Sequence, residues 1–85
     1  MKITEVRLKK AINKGNIKAW GDIAFEGDFV VHGVKVIDTG KKIFVAMPSR
    51  RTADKKYLDI CHPISNEARK VIMDAVLAEY EKIKD

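Results

Sequence analysis

The first two thirds of the chain alternate between apolar and polar residues, and this alternation predicts β-strands. Clusters of turn-forming residues around Gly15, Gly27 and Gly40 interrupt the alternation. These interruptions leave five predicted strands, at residues 2–8, 17–25, 29–37, 42–47 and 57–61. The closely spaced turns favour hairpin connections, and therefore an antiparallel sheet.

The third strand is the most hydrophobic, and strict alternation makes both of its faces apolar. One face carries Phe29, Val31 and Ile37, and the other carries Val30, Val34 and Val36 together with His32. A strand that is apolar on both faces is typical of the centre of a sheet covered on both sides. The same alternation in the first strand places Thr4, Val6 and Leu8 on one face.

The last third of the chain predicts one amphipathic helix. Ser65 is a suitable N-cap, Glu67 falls in the first turn, and neither glycine nor proline occurs from there to Ile83. The apolar positions form a wide stripe at helical spacing, consisting of Ala68, Val71, Ile72, Ala75, Val76, Ala78, Tyr80 and Ile83, widened by Met73 and Leu77. The expected fold is therefore α+β, with an antiparallel sheet of about five strands followed by one C-terminal helix.

One helix covers only one face of such a sheet, so a second copy of the chain is expected to cover the other. This reasoning predicts a homodimer with two-fold symmetry. The alternative is that a small domain leaves scattered apolar side chains exposed, which proteins tolerate.

Length and composition fit one folded domain over residues 1–85, with 46% hydrophobic and 34% charged residues. The net charge of +5 favours anionic partners such as nucleic acid or an acidic membrane or protein surface. Cys61 is the single cysteine, which fits a reducing compartment. No signal peptide and no apolar run of about 20 residues is present, so we expect a cytoplasmic protein that does not enter a membrane.

The strongest functional candidate is a basic segment that follows the fourth strand. Pro48 ends the strand, and a loop over residues 50–56 then carries four cations. Arginine binds phosphate and guanine in bidentate geometry, which favours nucleic acid over mere solvation of the loop. Two further cations near the start of the helix could extend the surface. The candidate contacts are Arg50, Arg51, Thr52, Lys55, Lys56, Arg69 and Lys70.

Other chemistry is poorly supported by the sequence. Cys61 and His62 are neighbours on a predicted strand, so they should point to opposite faces, with Cys61 buried. His32 is expected to be a core or interface residue, and Asp54 and Asp59 are explained by ion pairs with neighbouring cations. We therefore expect no enzyme, no metal or other cofactor, and no small-molecule substrate.

Several segments resemble the septation protein SpoVG family (stage V sporulation protein G). These are residues 1–8 (MKITEVRL), 29–38 (FVVHGVKVID), 44–52 (FVAMPSRRT), 59–64 (DICHPI) and 74–80 (DAVLAEY). The resemblance implies a dimeric α+β protein that binds DNA, and in several members RNA, and regulates gene expression and septum formation. It carries the family's basic positions onto Arg50, Arg51 and Arg69.

The sequence departs from this family in two places. The family commonly has Pro-Asp-Gly after Thr52, whereas this chain has Ala53-Asp54-Lys55, which should loosen the turn. It ends at Asp85 without the acidic tail that the family often carries, so we do not expect modulation of binding by such a tail.

A module that docks an acidic protein through the same basic loop is the rival hypothesis.

Overall fold

Four of the predicted strands pair in chain order into one antiparallel sheet. The computed structural model describes residues 2–84. The sheet consists of β1 (Ile3–Lys10), β2 (Ile17–Phe25), β3 (Phe29–Asp38) and β4 (Ile43–Ala46). The short strands β5 (Ser49–Arg51) and β6 (Tyr57–Asp59) form a separate antiparallel hairpin, and α1 (Asn66–Ile83) follows. The α+β class is confirmed. The five-stranded sheet is wrong, because the last predicted strand pairs with β5 instead of joining the sheet.

The helix lies against one face of the sheet, where it packs on β1, β3 and β4. The core between them consists of Ala19, Ile23, Phe25, Val34, Val36, Ile72 and Val76. Ser65 Oγ accepts a hydrogen bond from the Ala68 backbone N–H at 3.1 Å, which confirms the predicted N-cap. The buried stripe is narrower than predicted, because Val71 and Ala78 are exposed. No helix within residues 2–84 is long and apolar enough to cross a bilayer.

A β-bulge at Gly33 reverses the faces of the third strand. Asp22 pairs with His32 while the adjacent Gly21 pairs with Val34, so Gly33 is an extra residue, and its φ is +89°. Strict alternation therefore fails at this point. Val34 and Val36 face the helix together with Val31, although the sequence had placed them on opposite sides.

A second register shift, near Thr4, has the same effect on the first strand. Ile3 pairs with Phe25 and Glu5 pairs with Ala24, so Thr4 is the extra residue. Ile3 consequently packs against the core with Val6 and Leu8, whereas Thr4 is exposed. The predicted grouping of Thr4 with Val6 and Leu8 is wrong.

The face of the sheet that points away from α1, which we call the open face, follows from these registers. Three of its cross-strand rows are Glu5–Ala24–Val30, Arg7–Asp22–His32 and Lys9–Trp20–Lys35. Val30 and His32 are exposed. Within the single chain the third strand is therefore buried on one face only, and His32 does not lie in the core. Cover of the open face by a second copy, with His32 at the interface, stays a prediction. His32 Nδ1 instead lies 2.8 Å from Asp22 Oδ1 at the surface.

Candidate nucleic-acid interface

The β5–β6 hairpin is held at its base against the sheet. Proline ends the preceding strand as predicted, since β4 stops at Ala46 and Pro48 lies outside any strand. The Pro48 carbonyl accepts a hydrogen bond from Ile60 N–H at 2.8 Å, which closes the hairpin at its base. Pro48 Cβ also lies over Gly33, only 3.4 Å from where a side chain there would begin. The hairpin therefore projects from a fixed point on the sheet.

Both arginines of the basic segment lie in β5 and not in a loop, so this part of the prediction is wrong. A run of charged residues predicts a solvated loop, but the chain after Pro48 stays extended and pairs with β6. Arg50 lies opposite Leu58 and Arg51 lies opposite Tyr57. Successive side chains of a strand point to opposite faces, so the two guanidinium groups leave the hairpin on opposite sides. Both arginines are exposed.

The tip of the hairpin is a turn organised by Thr52. Its N–H donates to the Lys56 carbonyl at 2.7 Å, and its carbonyl accepts from Lys55 N–H at 3.0 Å. The Thr52 hydroxyl accepts from Lys56 N–H at 3.2 Å and also contacts the Asp54 carboxylate. These hydrogen bonds shape the turn that carries Lys55 and Lys56, and the contact of Thr52 with nucleic acid stays a prediction.

The cations of the hairpin are not neutralised by neighbouring carboxylates. Within residues 2–84, no ion pair involves Arg50, Arg51, Lys55 or Lys56. The predicted ion pairs of Asp54 and Asp59 with their neighbours are therefore not formed there. The four positive charges and the two negative charges of Asp54 and Asp59 leave the hairpin with a net charge of +2, and a positive potential of this kind attracts a polyanion.

The two helical candidates lie on α1, a different element from the hairpin. Arg69 and Lys70 are exposed in the first turns of α1, which packs against β1, β3 and β4. Lys70 Nζ lies 3.0 Å from Asp74 Oδ2, four residues along the helix, so part of its charge is already balanced. Arg69 forms no ion pair within the described range. Arg69 is therefore the stronger of these two candidates.

Cys61 and His62 lie beyond the end of β6 and outside any strand, so the predicted strand stops short of them, and both line one groove. The groove has a volume of about 420 Å³ and is mainly apolar, with walls that include Phe25, Phe29 and Met47. Cys61 is half-buried instead of fully buried. His62 Nδ1 lies 3.1 Å from the Pro63 carbonyl oxygen. Within the described part of the chain, no three His, Cys, Asp or Glu side chains are grouped closely enough to hold a metal ion.

Sequence reasoning missed one member of the hairpin site. Tyr57 is 69% exposed and lies directly across from Arg51. An exposed aromatic ring beside an arginine is a recurrent arrangement where proteins stack on unpaired bases. Tyr57 is six positions from Arg51 in the chain, and only the pairing of β5 with β6 shows that the two residues are neighbours.

Fold and site together define a small α+β domain with a basic hairpin projecting from a sheet covered on one face. A family model described as SpoVG matches residues 1–82. The chain is 47% identical over 85 residues to a protein of Clostridium acetobutylicum, which covers 100% of this chain and 90% of that relative. It is 48% identical over 85 residues to a protein of Clostridium perfringens (strain 13 / Type A), covering 100% and 94% respectively.

A protein of Priestia megaterium is 47% identical over 83 residues, which is 98% of this chain and 86% of that relative. Each of these three relatives bears the name "Putative septation protein SpoVG". The chain belongs to the SpoVG family, and the resemblance drawn from the sequence is confirmed.

Proposed function

We propose that the protein is a cytoplasmic regulator that binds nucleic acid, with DNA as the main ligand and RNA as a second, and acts in septation. The single observation that supports binding is that Arg50 and Arg51 are exposed on the β5–β6 hairpin and form no ion pair within residues 2–84. The names of the relatives support the role in septation. Arg69 and Lys70 on α1 would extend the contact along the same polyanion.

Binding through these residues would be driven mainly by release of counterions from the phosphate backbone. Each cation that replaces a condensed counterion contributes about −0.9 to the slope of log K against log salt for duplex DNA. A dimer presents two hairpins, and engagement of half to all of their cations predicts a slope of roughly −3.6 to −7. Arginine adds bidentate contacts to phosphate or guanine that lysine does not make.

A homodimer is part of the same proposal. Phe29, which lines the groove with Cys61 and His62, is 66% exposed, and Ile60 and Ile64, which flank those two residues in the chain, are 65% and 94% exposed. Large exposed apolar side chains that form a contiguous patch favour a protein interface. The test is the molar mass in solution by light scattering, for the native chain and for Ile64→Asp. A native chain that stays monomeric at high protein concentration would overturn this part.

The binding proposal is tested by replacing Arg50 and Arg51 together with alanine. We expect weaker binding of duplex DNA in a gel-shift titration at near-physiological salt, a shallower salt slope and an unchanged melting temperature. Lys82→Ala with Lys84→Ala is the matched control, because it removes the same charge from the far end of α1. Replacing both arginines with lysine keeps the charge and isolates the bidentate contacts. Equal binding by the arginine and control variants would refute the proposed site.

The rival function, docking of an acidic protein, rests on the same unpaired cations. Titrations with random DNA, random RNA and polyglutamate separate the two hypotheses. Binding to polyglutamate alone, with no nucleic acid retained, would favour the protein-interaction module. The septation role is tested independently by imaging septum placement in cells that lack the protein.

A further inference from the structure

The open face of the sheet carries an exposed tryptophan between two lysines from the adjacent strands. Trp20 is 48% exposed and pairs with Lys9 on one side and with Lys35 on the other. Lys9 Nζ lies 6.0 Å from the centre of the Trp20 ring. Large apolar side chains are usually placed against the core, so an indole in the middle of an uncovered sheet face is unusual. The row combines an aromatic face with two cations.

The next row along the same face is apolar and bordered by further lysines. It consists of Ile17, Ile37 and Phe44, which pair across β2, β3 and β4. Lys42 Nζ lies 5.3 Å from the centre of the Phe44 ring. Lys14 lines a shallow cavity of about 260 Å³ with Trp20 and Lys35. Four lysines therefore surround an apolar and aromatic strip on this half of the face.

The acidic residues of the open face lie on its other half and have partners. Asp22 Oδ1 lies 2.8 Å from His32 Nδ1, and Glu5 Oε2 lies 2.8 Å from Arg7 Nε. The hydrogen bond from Arg7 to Glu5 raises the pKa of the guanidinium group, and the two charges offset each other. The excess of positive charge is thus confined to the half of the face that carries Trp20.

We propose that this half of the open face binds single-stranded nucleic acid, with an unpaired base stacked on Trp20 and adjacent phosphates held by Lys9 and Lys35. The proposal rests on the proposed function in taking nucleic acid as the ligand, but it concerns a surface separate from the hairpin. Stacking on an aromatic ring requires an unpaired base, because the bases of a duplex are stacked on each other. Lysines on either side of the ring match a backbone that continues past the stacked base.

A second copy of the chain is a poor occupant for this face. A two-fold interface places the same patch on both partners, so Lys9, Lys14, Lys35 and Lys42 of each copy would face those of the other. Like charges brought together in an interface oppose association. A polyanion satisfies the same lysines, and charge complementarity therefore selects it.

Trp20 is the chain's single tryptophan, so its fluorescence reports directly on this face. The experiment titrates the native protein with fluorescein-labelled oligothymidylate of about 20 nucleotides, which exceeds the usual site size, and with the duplex it forms with oligoadenylate. Anisotropy of the label measures binding, and tryptophan emission measures contact with the ring. We expect quenching that saturates together with the anisotropy for the single strand. For the duplex we expect binding with little quenching.

Two substitutions of the ring form a matched pair. Trp20→Leu keeps an apolar side chain but cannot stack, and should weaken single-strand binding by roughly 5- to 150-fold with duplex binding unchanged. Trp20→Phe keeps an aromatic face and should retain most of the affinity. Lys9→Gln with Lys35→Gln should reduce the single-strand salt slope by about 1.4, since each phosphate contact contributes about 0.7. Circular dichroism and the melting temperature verify that each variant is folded.

Each outcome of this experiment decides between the two proposals. Single-strand binding that leaves Trp20 emission unchanged, or equal affinity of Trp20→Leu, would overturn the open-face site and leave the hairpin site standing. No binding of either probe would overturn both. A blue shift of Trp20 emission with protein concentration alone, accompanied by a parallel rise in molar mass by light scattering, would show that a second copy covers the face and would overturn the open-face site. Persistence of quenching after Arg50→Ala and Arg51→Ala would support two independent surfaces.

Discussion

Lys55 occupies a backbone conformation that glycine would adopt at lower cost. Its φ is +66°, in the left-handed region, where a side chain is too close to the following carbonyl oxygen. The turn needs this conformation, because Lys55 N–H must reach the Thr52 carbonyl at 3.0 Å while Lys56 pairs back to Thr52. We predict that Lys55→Gly stabilises the hairpin.

The magnitude follows from two opposing terms. Relief of the left-handed strain contributes about 1–2 kcal/mol. Glycine loses more backbone entropy on folding, which costs roughly 0.5–1 kcal/mol. Taken from the middle of each range, the net gain is about 0.75 kcal/mol, which corresponds to a rise of about 3–6 °C in melting temperature if the hairpin unfolds with the domain. If the hairpin opens by itself, the gain appears as about 2- to 5-fold slower hydrogen exchange at the Thr52 and Lys56 amides.

Lys55→Ala is the control that separates strain from charge. Both variants lose the same cation, so both should weaken nucleic-acid binding equally and flatten the salt dependence. Only glycine removes the strain, so only glycine should raise the melting temperature or slow exchange. Equal stability of the two variants, or a lower stability of the glycine variant, would refute the reasoning.

Three further substitutions probe how the fold holds the site. Gly21→Ala should prevent folding, since the added Cβ would lie 1.8 Å from the Arg7 carbonyl oxygen. Far-UV circular dichroism checks this, and a spectrum like that of the native protein would contradict it. Ser65→Ala removes the cap to Ala68 and should cost about 1 kcal/mol in urea unfolding, while Ser65→Asp should restore most of it. Ile72→Ala should cost about 2–5 kcal/mol in the same assay, because Ile72 is buried in the core.

The sequence predicted the elements well wherever a local pattern determines them. The cap at Ser65, the helix to Ile83 and the end of β4 before Pro48 depend on neighbouring residues, and the structure confirms all three. Faces and pairings depend on register. The single extra residue Gly33 exchanged the predicted faces of β3 beyond that point. An isolated glycine within a strand is a known sign of such a bulge.

The candidate site was predicted in its residues but not in its form. The composition of residues 50–56 identified the cations of the site. It did not predict that they lie on a paired hairpin, because a run of charged residues predicts a loop when the strand pairing is unknown. The sequence does not mark Trp20 as part of a site, because its neighbours Lys9 and Lys35 lie 11 and 15 positions away in the chain. Only the pairing of β1, β2 and β3 brings Lys9 and Lys35 beside it.

The bulge at Gly33 gives β3 one extra residue at this point of its pairing with β2. Removing Gly33 would leave strict alternation, so Val34 and Val36 would still face the helix and Lys35 would still point away from it. Removing Lys35 instead would turn Val36 outward and place Ile37 beneath the helix, and the pairing of β4 would have to shift. A shortened β3 should therefore be tolerated when the missing residue is Gly33 and should fail when it is one of the paired residues that follow.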